Sequence, residues 1–173
     1  MYMGKDFFIA DTHFGSESII RYENRPFGSV EDMDRILIEK WNSVVSEEDN
    51  VYILGDFSVY EDIEKDEEIL KLLNGTKILI MGNHDTHRAA QMWREAGFSE
   101  CSRWPILYKN FFILSHEPLY MNSNMPYVNI YGHVHGNASY RDVSPQSACV
   151  SVERIDYTPV EFGEIMRKIK NLQ

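Results

Sequence analysis

The sequence predicts an α/β fold, and three observations carry that prediction. Short apolar runs stop abruptly at Gly, Asp or Asn. Amphipathic helical patterns separate the first three runs. The second half is strand-rich and closes with one more helical stretch. At 173 residues, with 43% hydrophobic and 25% charged residues, the chain has the size and composition of one globular domain spanning 1–173.

The elements follow in order. Phe7 to Ala10 is the first buried-strand run, ending at Asp11. Met33, Ile36, Leu37, Trp41, Val44 and Val45 then recur at steps of three and four, which predicts a helix over Val30 to Val45. Ser29, with Asp32 three residues on, is its N-terminal cap. Val51 to Leu54 is the second run and ends at Gly55-Asp56. A helix between Glu61 and Asn74 buries Ile69, Leu70, Leu72 and Leu73, with Gly75 closing it. Lys77 to Met81 is the third run, followed by Gly82-Asn83-His84-Asp85 and a helix over Thr86 to Ala96 that stops at Gly97. Strands alternating with helices imply a largely parallel sheet. Ile106 to Lys109 and Phe111 to Ser115 flank Asn110 as a hairpin. Val128 to Tyr131 and Ala148 to Glu153 are further strands, and Val160 to Asn171 has helical spacing.

Composition narrows the function. No apolar run approaches the roughly 20 residues of a membrane span, and none makes a signal-peptide core. Cys101 and Cys149 are far apart and outside any metal or CxxC spacing. They read as reduced thiols filling core space in a cytoplasmic protein. Seventeen basic against 27 acidic residues give a net charge of −10, which lacks the basic footprint of a long-nucleic-acid or membrane-surface binder.

The six histidines carry more information. Five of them (His13, His84, His116, His133 and His135) fall at the C-terminal end of a predicted strand, beside Gly, Asp, Glu or Asn. Strand ends line the ligand crevice of an open α/β sheet. Asp11 and His13, two apart on extended chain, point to one side and together suit a divalent ion. The same pair also fits an Asp that orients a His or caps a helix. Asp56 projects after a sharp Gly55 turn, and its two oxygens can bridge two metals. Asn83 offers a carbonyl oxygen, and Asn83 and Asp85 equally fit a helix-capping turn. His84 fits neither role and is suited to moving a proton. His116 ends a hairpin strand, and His133 and His135 sit between Gly132 and Gly136. Two metals sharing Asp56 would use this donor set naturally. The absence of Cys ligands argues against a closed structural zinc site. Mixed N/O donors suit Mn, Fe, Zn, Ni or Co. His87, in the first turn of a helix, reads as a surface residue.

The order D-x-H, G-D, G-N-H-D, H, G-H-x-H, across residues 9 to 136, resembles the calcineurin-like metallophosphoesterase superfamily. The small single-domain bacterial and phage members are the most similar, down to Asp156-Tyr157-Thr158-Pro159 before the last helix. The resemblance implies a four-layer α/β/β/α sandwich. It also implies two divalent metals, one held by Asp11, His13, Asp56 and His135, the other by Asp56, Asn83, His116 and His133. A metal-bridging hydroxide would attack phosphorus in line. His84 would protonate the leaving group or position the phosphate.

The protein-phosphatase branch carries Asp and Arg three and four residues after the Asp of its G-D block. Here Val59 and Tyr60 stand there, which turns the expectation away from phosphoproteins. Arg25 and Arg88 are the candidate replacements for phosphate contact, although each also fits a solvated or salt-bridged surface role. The expected activity is a phosphodiesterase on small or nucleotide-type phosphate esters. A phosphomonoesterase, a nuclease, and a non-catalytic protein-binding scaffold using exposed aromatics such as Tyr60, Trp93 and Tyr127 are the alternatives. Loops Phe14 to Phe27 and Tyr120 to Tyr127 would shape substrate choice, and the sequence does not set oligomeric state.

Overall fold

The structure is a computed structural model describing residues 4–122, 124–140 and 145–170. Strands β1 (Asp6–Ile9), β2 (Asn50–Ile53), β3 (Thr76–Ile80) and β4 (Glu100–Ser102) are parallel neighbours. Helices α1 (Glu17–Tyr22) and α2 (Val30–Val44) connect the first pair, α3 (Ile63–Leu72) the second and α4 (Ala90–Ala96) the third. A second sheet holds β5 (Ile106–Tyr108), β6 (Phe112–Leu114), β7 (Val128–Tyr131) and β8 (Ser147–Cys149). The β5–β6 hairpin is antiparallel; β6, β7 and β8 are parallel. Finally β9 (Val160–Glu161) pairs antiparallel with β1, and α5 (Phe162–Lys170) closes the described chain. This is the expected α/β architecture with two parallel-rich sheets.

Local chemistry explains the helix starts. Ser16, Ser29 and Asp62 each accept a backbone N–H from the first turn of α1, α2 and α3. Aromatic rings hold the sheets face to face. The Tyr108 ring lies 5.5 Å from Phe8 and 5.1 Å from Tyr52. Phe162 wedges beside them, 4.9 Å from Phe112. Trp41 of α2 and Trp93 of α4 are fully buried.

The two sheets meet at one edge. After β8 the chain runs beside Ala10, whose N–H donates to Val150 O (2.9 Å) and whose carbonyl accepts from Val152 N–H (3.1 Å). Gly132 N–H donates to His116 O at 2.9 Å. The ends of β1, β2, β3, β6 and β7 therefore open onto common ground.

Several expectations are corrected. The helix expected over Thr86 to Ala96 is a short 3-10 turn, His84–His87, followed by α4 from Ala90. Arg88 breaks it, extended at φ −121° and ψ 150°, with its side chain drawn to Asp66. Val160 and Glu161 belong to β9, not to the last helix, because they pair with Phe8 and Phe7. Asn171, the expected end of that helix, lies outside the described residues. Beyond Cys149 the expected strand becomes a 3-10 turn, Val152–Arg154. Trp93, expected to be exposed, is buried against Phe57 and Phe98. α1 and β4 were not foreseen. Cys101 and Cys149 are free thiols, each partly buried. Among the described residues no helix is long and apolar enough to cross a membrane.

Candidate metal centre

Each donor loop begins where a strand stops. Asp11 and His13 follow β1, Asp56 follows β2, Asn83 and His84 follow β3, His116 follows β6, and His133 and His135 follow β7. The extended geometry expected for the paired donors does not occur. Asp11 (φ 61°), His13 (φ 50°), Asp56 (φ 56°), His133 (φ 70°) and His135 (φ 48°) all lie in the left-handed region. The pairs still converge, because the chain turns sharply at each of these five donors.

The loops brace one another. Asp11 N–H donates to Gly55 O (3.0 Å), His13 N–H to Asp56 O (3.0 Å) and His133 N–H to Asp11 Oδ2 (2.9 Å). Asp85, buried, accepts from the N–H groups of Asp56 (2.7 Å), Phe57 (2.9 Å) and Gly82 (2.7 Å). It thus closes its own turn and positions the backbone of Asp56. Gly55 sits at φ 88°, where a Cβ would stand 2.3 Å from His116 Nδ1. A Cβ on Gly82 would stand 2.3 Å from Asp56 Oδ1.

The donors fall into two groups. Atoms of Asp11, His13 and His135 lie within 4.8 Å of one another, and so do atoms of Asp56, His116 and His133. Asp56 Oδ2 stands between them, 3.5 Å from His13 Nε2 and 3.4 Å from His116 Nε2. Asn83 Oδ1 lies 3.0 Å from His116 Nε2, and His133 Nδ1 lies 3.1 Å from that same nitrogen. His13 Nε2 is buried without a hydrogen-bond partner.

Electrostatics follow from burial. Burial raises the Asp11 carboxyl to about 6, although His135 and His116 oppose it. It drives His13 down to about 3, so this imidazole is neutral, the form that ligates metal. Burial also works to raise Asp56, but His116 overrides it and holds the carboxyl at about 2. Burial works against protonation of His116, yet Asp56 lifts it to about 9. Asp56 and His116 are thus a charge-coupled pair, and a metal held there would displace the proton from the imidazole. An orphaned buried imidazole nitrogen, crowded ring nitrogens and a carboxylate between two histidines fit divalent cations well.

Behind these donors lies a network that the sequence did not reveal. His135 Nδ1 meets Glu153 Oε1 at 3.1 Å, while His135 Nε2 faces Asp11 Oδ1 at 3.9 Å. Arg25 donates to that same Glu153 oxygen from Nε (2.9 Å) and Nη2 (2.7 Å). Its remaining donors reach Asp11 O (2.7 Å) and Thr12 O (2.8 Å). Arg25 is thus neither a solvated surface cation nor free for phosphate. Glu23, His135 and Glu153 form a third cluster, but the Arg25 guanidinium already supplies its cation. One signal could have found Glu153: it ends an expected strand, as the other site acids do.

Arg88 is also buried. It donates to Asp66 (2.6 Å), Tyr60 O (2.6 Å) and Glu61 O (2.8 Å), so its donors turn away from the centre. His84 is exposed at the mouth of the site. Its N–H donates to Asp56 Oδ1 (2.8 Å), and its ring packs edge-on to His13 at 5.1 Å. His87 is exposed, as expected, with Nδ1 2.6 Å from His84 O. Val59 is partly buried, and the Tyr60 hydroxyl donates to Asp34 (2.8 Å).

Known proteins are similar to this chain. An uncharacterised protein of Methanocaldococcus jannaschii is 40% identical over 177 residues, covering 98% of this chain and 94% of that one. The gene 66 protein of Mycobacterium phage D29 is 36% identical over 107 residues, covering 61% of this chain and 51% of that protein. A solved Aquifex aeolicus protein of unknown function superimposes with a TM-score of 0.73 at 28% identity, covering 95% of this chain and 98% of that one. Residues 7–162, which contain every donor above, match the calcineurin-like phosphoesterases. The chain therefore belongs to the calcineurin-like phosphoesterase family, whose chemistry is metal-dependent hydrolysis of phosphate esters.

Proposed function

We propose that this protein is a dinuclear metal-dependent phosphodiesterase acting on small or nucleotide-type esters. The position of Asp56 Oδ2, 3.5 Å from His13 Nε2 and 3.4 Å from His116 Nε2, carries the reading. Asp11, His13, Asp56 and His135 would hold one ion; Asp56, Asn83, His116 and His133 would hold the other. Such a pair of divalent ions supplies charge neutralisation at phosphorus and water activated for in-line attack.

The chain supplies the rest. Loop-to-loop hydrogen bonds preset the donors, so little reorganisation is needed when a phosphate binds. His84, tethered by its N–H to Asp56, keeps both ring nitrogens outside the donor groups. Its imidazole then hands a proton to the departing alkoxide, the step that a diester needs. Arg25 acts from behind the donors rather than on the phosphate. Val59 and the Asp34-bound Tyr60 offer phosphate no cation of their own, and nearby Arg88 is spent on Asp66, Tyr60 O and Glu61 O, which favours the singly charged diester over a dianionic monoester.

Metal-reconstituted protein should cleave bis(p-nitrophenyl) phosphate, and EDTA should abolish the cleavage. Absence of turnover with Mn, Ni, Co, Fe and Zn in turn refutes the assignment.

A further inference from the structure

The donor loops share a wall with a crevice of about 390 Å³. Asn83 and His116 line it, which makes it continuous with the second donor group. Apolar Ile80, Met81 and Leu119 line it as well. The volume falls in the range of small-molecule sites.

Two side chains there are open to a ligand. Trp104 is 76% exposed, whereas Trp41 and Trp93 are 1% and 0% exposed. An exposed indole forgoes burial that most tryptophans obtain. Its backbone is fixed locally. Trp104 N–H donates to Ser102 Oγ (3.1 Å), the Ser102 hydroxyl donates to Trp104 O (2.8 Å), and Pro105 follows. The second side chain is Arg103, exposed and with no hydrogen bond or ion pair to any described residue. Exposed Glu117 lines the same crevice. One cation and one anion leave the crevice formally neutral, so it does not recruit a second phosphate. An exposed indole that shares a crevice with apolar side chains, with a donor and an acceptor at hand, suits an uncharged planar heterocycle.

We propose that this crevice seats the nucleobase of a nucleotide phosphodiester, stacked on Trp104, while the diester lies at the metal centre. The proposal rests on the phosphodiesterase reading above and names its substrate class. The base would bind on the Asn83–His116 side, and the rest of the substrate would extend past His84.

The test compares thymidylyl-thymidine with its abasic counterpart on manganese-loaded protein. Trp104→Ala should lower the ratio of their kcat/KM values about 5- to 150-fold, the range for loss of one stacked base. Trp104→Phe should restore most of that ratio. A ratio within twofold of wild type in Trp104→Ala overturns the base subsite. So does a wild type that cleaves bis(p-nitrophenyl) phosphate but shows no preference for the base-bearing dinucleotide. Should no diester be cleaved at all, the phosphodiesterase reading fails, and binding decides the subsite separately. Trp104 is the exposed tryptophan, so iodide quenching of indole emission reports on it. Adenosine monophosphate should shield that emission and ribose 5-phosphate should not. Equal shielding by both, or none, overturns the proposal.

Discussion

Glu153 gives the sharpest test of how the centre is supported. Its carboxylate is 7% exposed, and its partner Arg25 is 0% exposed at the side chain. Removing one member of a buried pair leaves an uncompensated charge, which costs about 3–5 kcal/mol. Arg25 would keep the carbonyls of Asp11 and Thr12 as acceptors, so Glu153→Ala should fall near about 3 kcal/mol. Glu153→Gln keeps the volume and one acceptor, and should lose about half as much. Urea unfolding in EDTA reads this cost free of metal linkage, as a midpoint shift of about 1–3 M for Glu153→Ala. The sign with pH follows from the carboxyl. Burial works to raise it, but His135 and Arg25 prevail and hold it below the usual carboxylate range. A depressed carboxyl contributes stability above its unfolded value of about 4.3 and loses that contribution as pH falls through the folded value. The gap between wild type and Glu153→Ala should therefore be full at pH 7 and shrink in acid. The same substitution frees His135 Nδ1, so affinity for the first manganese ion should drop about 10- to 100-fold by calorimetric titration. A Glu153→Ala protein within about 1 kcal/mol of wild type, or one binding manganese equally well, would refute the reasoning.

Three other substitutions probe separate parts. His84→Ala should lose turnover while metal analysis still finds two ions per chain; loss of the ions would show that His84 is a ligand. Arg88→Ala strands the buried Asp66 carboxylate, so the melting temperature should fall by about 6–20 °C. A drop of under about 2 °C would mean that the pair contributes little net stability. Gly55→Ala forces a Cβ to 2.3 Å from His116 Nδ1 at a backbone φ of 88°. It should abolish binding at the second donor group first, seen as halved manganese stoichiometry, and unchanged stoichiometry would contradict that geometry.

The sequence made the donors legible because each stands where an apolar run stops, and strand ends converge in an open α/β sheet. It could not show that Glu153 and Arg25 lie behind them. Those residues are 128 positions apart and meet only because the chain after β8 returns to Ala10. Arg25 and Arg88 looked like surface residues because buried arginines are uncommon. Their acceptors are mostly backbone carbonyls, which no side-chain pattern advertises. Trp93 was misplaced for a related reason. Its indole N–H donates to the backbone carbonyl of Asp85 (3.0 Å), and its ring packs on Phe57 and Phe98, contacts that the sequence pattern does not advertise. The short elements α1 and β4, of six and three residues, are below the length at which periodicity is readable.

The left-handed donors also bear on how an acidic chain accepts a phosphate. A non-glycine residue at positive φ costs of order 1–3 kcal/mol, less for Asp, Asn and His than for bulkier residues. Asp11, His13, Asp56, His133 and His135 all carry that cost at one edge. It persists because each loop is held by another: Asp11 to Gly55, His13 to Asp56, His133 to Asp11, and Asp85 across three amides. Strain held this way tends to mark a site whose geometry matters more than its contribution to stability. Relaxed strand ends would let Asp11 and Asp56 turn outward and simply add to a net charge of −10. Folded inward, the same two carboxylates become places for divalent cations. The local field then reverses, with formally +4 against −2 when two ions bind. On the two-metal proposal, long polyanions would still meet a repulsive surface, while one phosphate diester reaching this edge would meet a positive one.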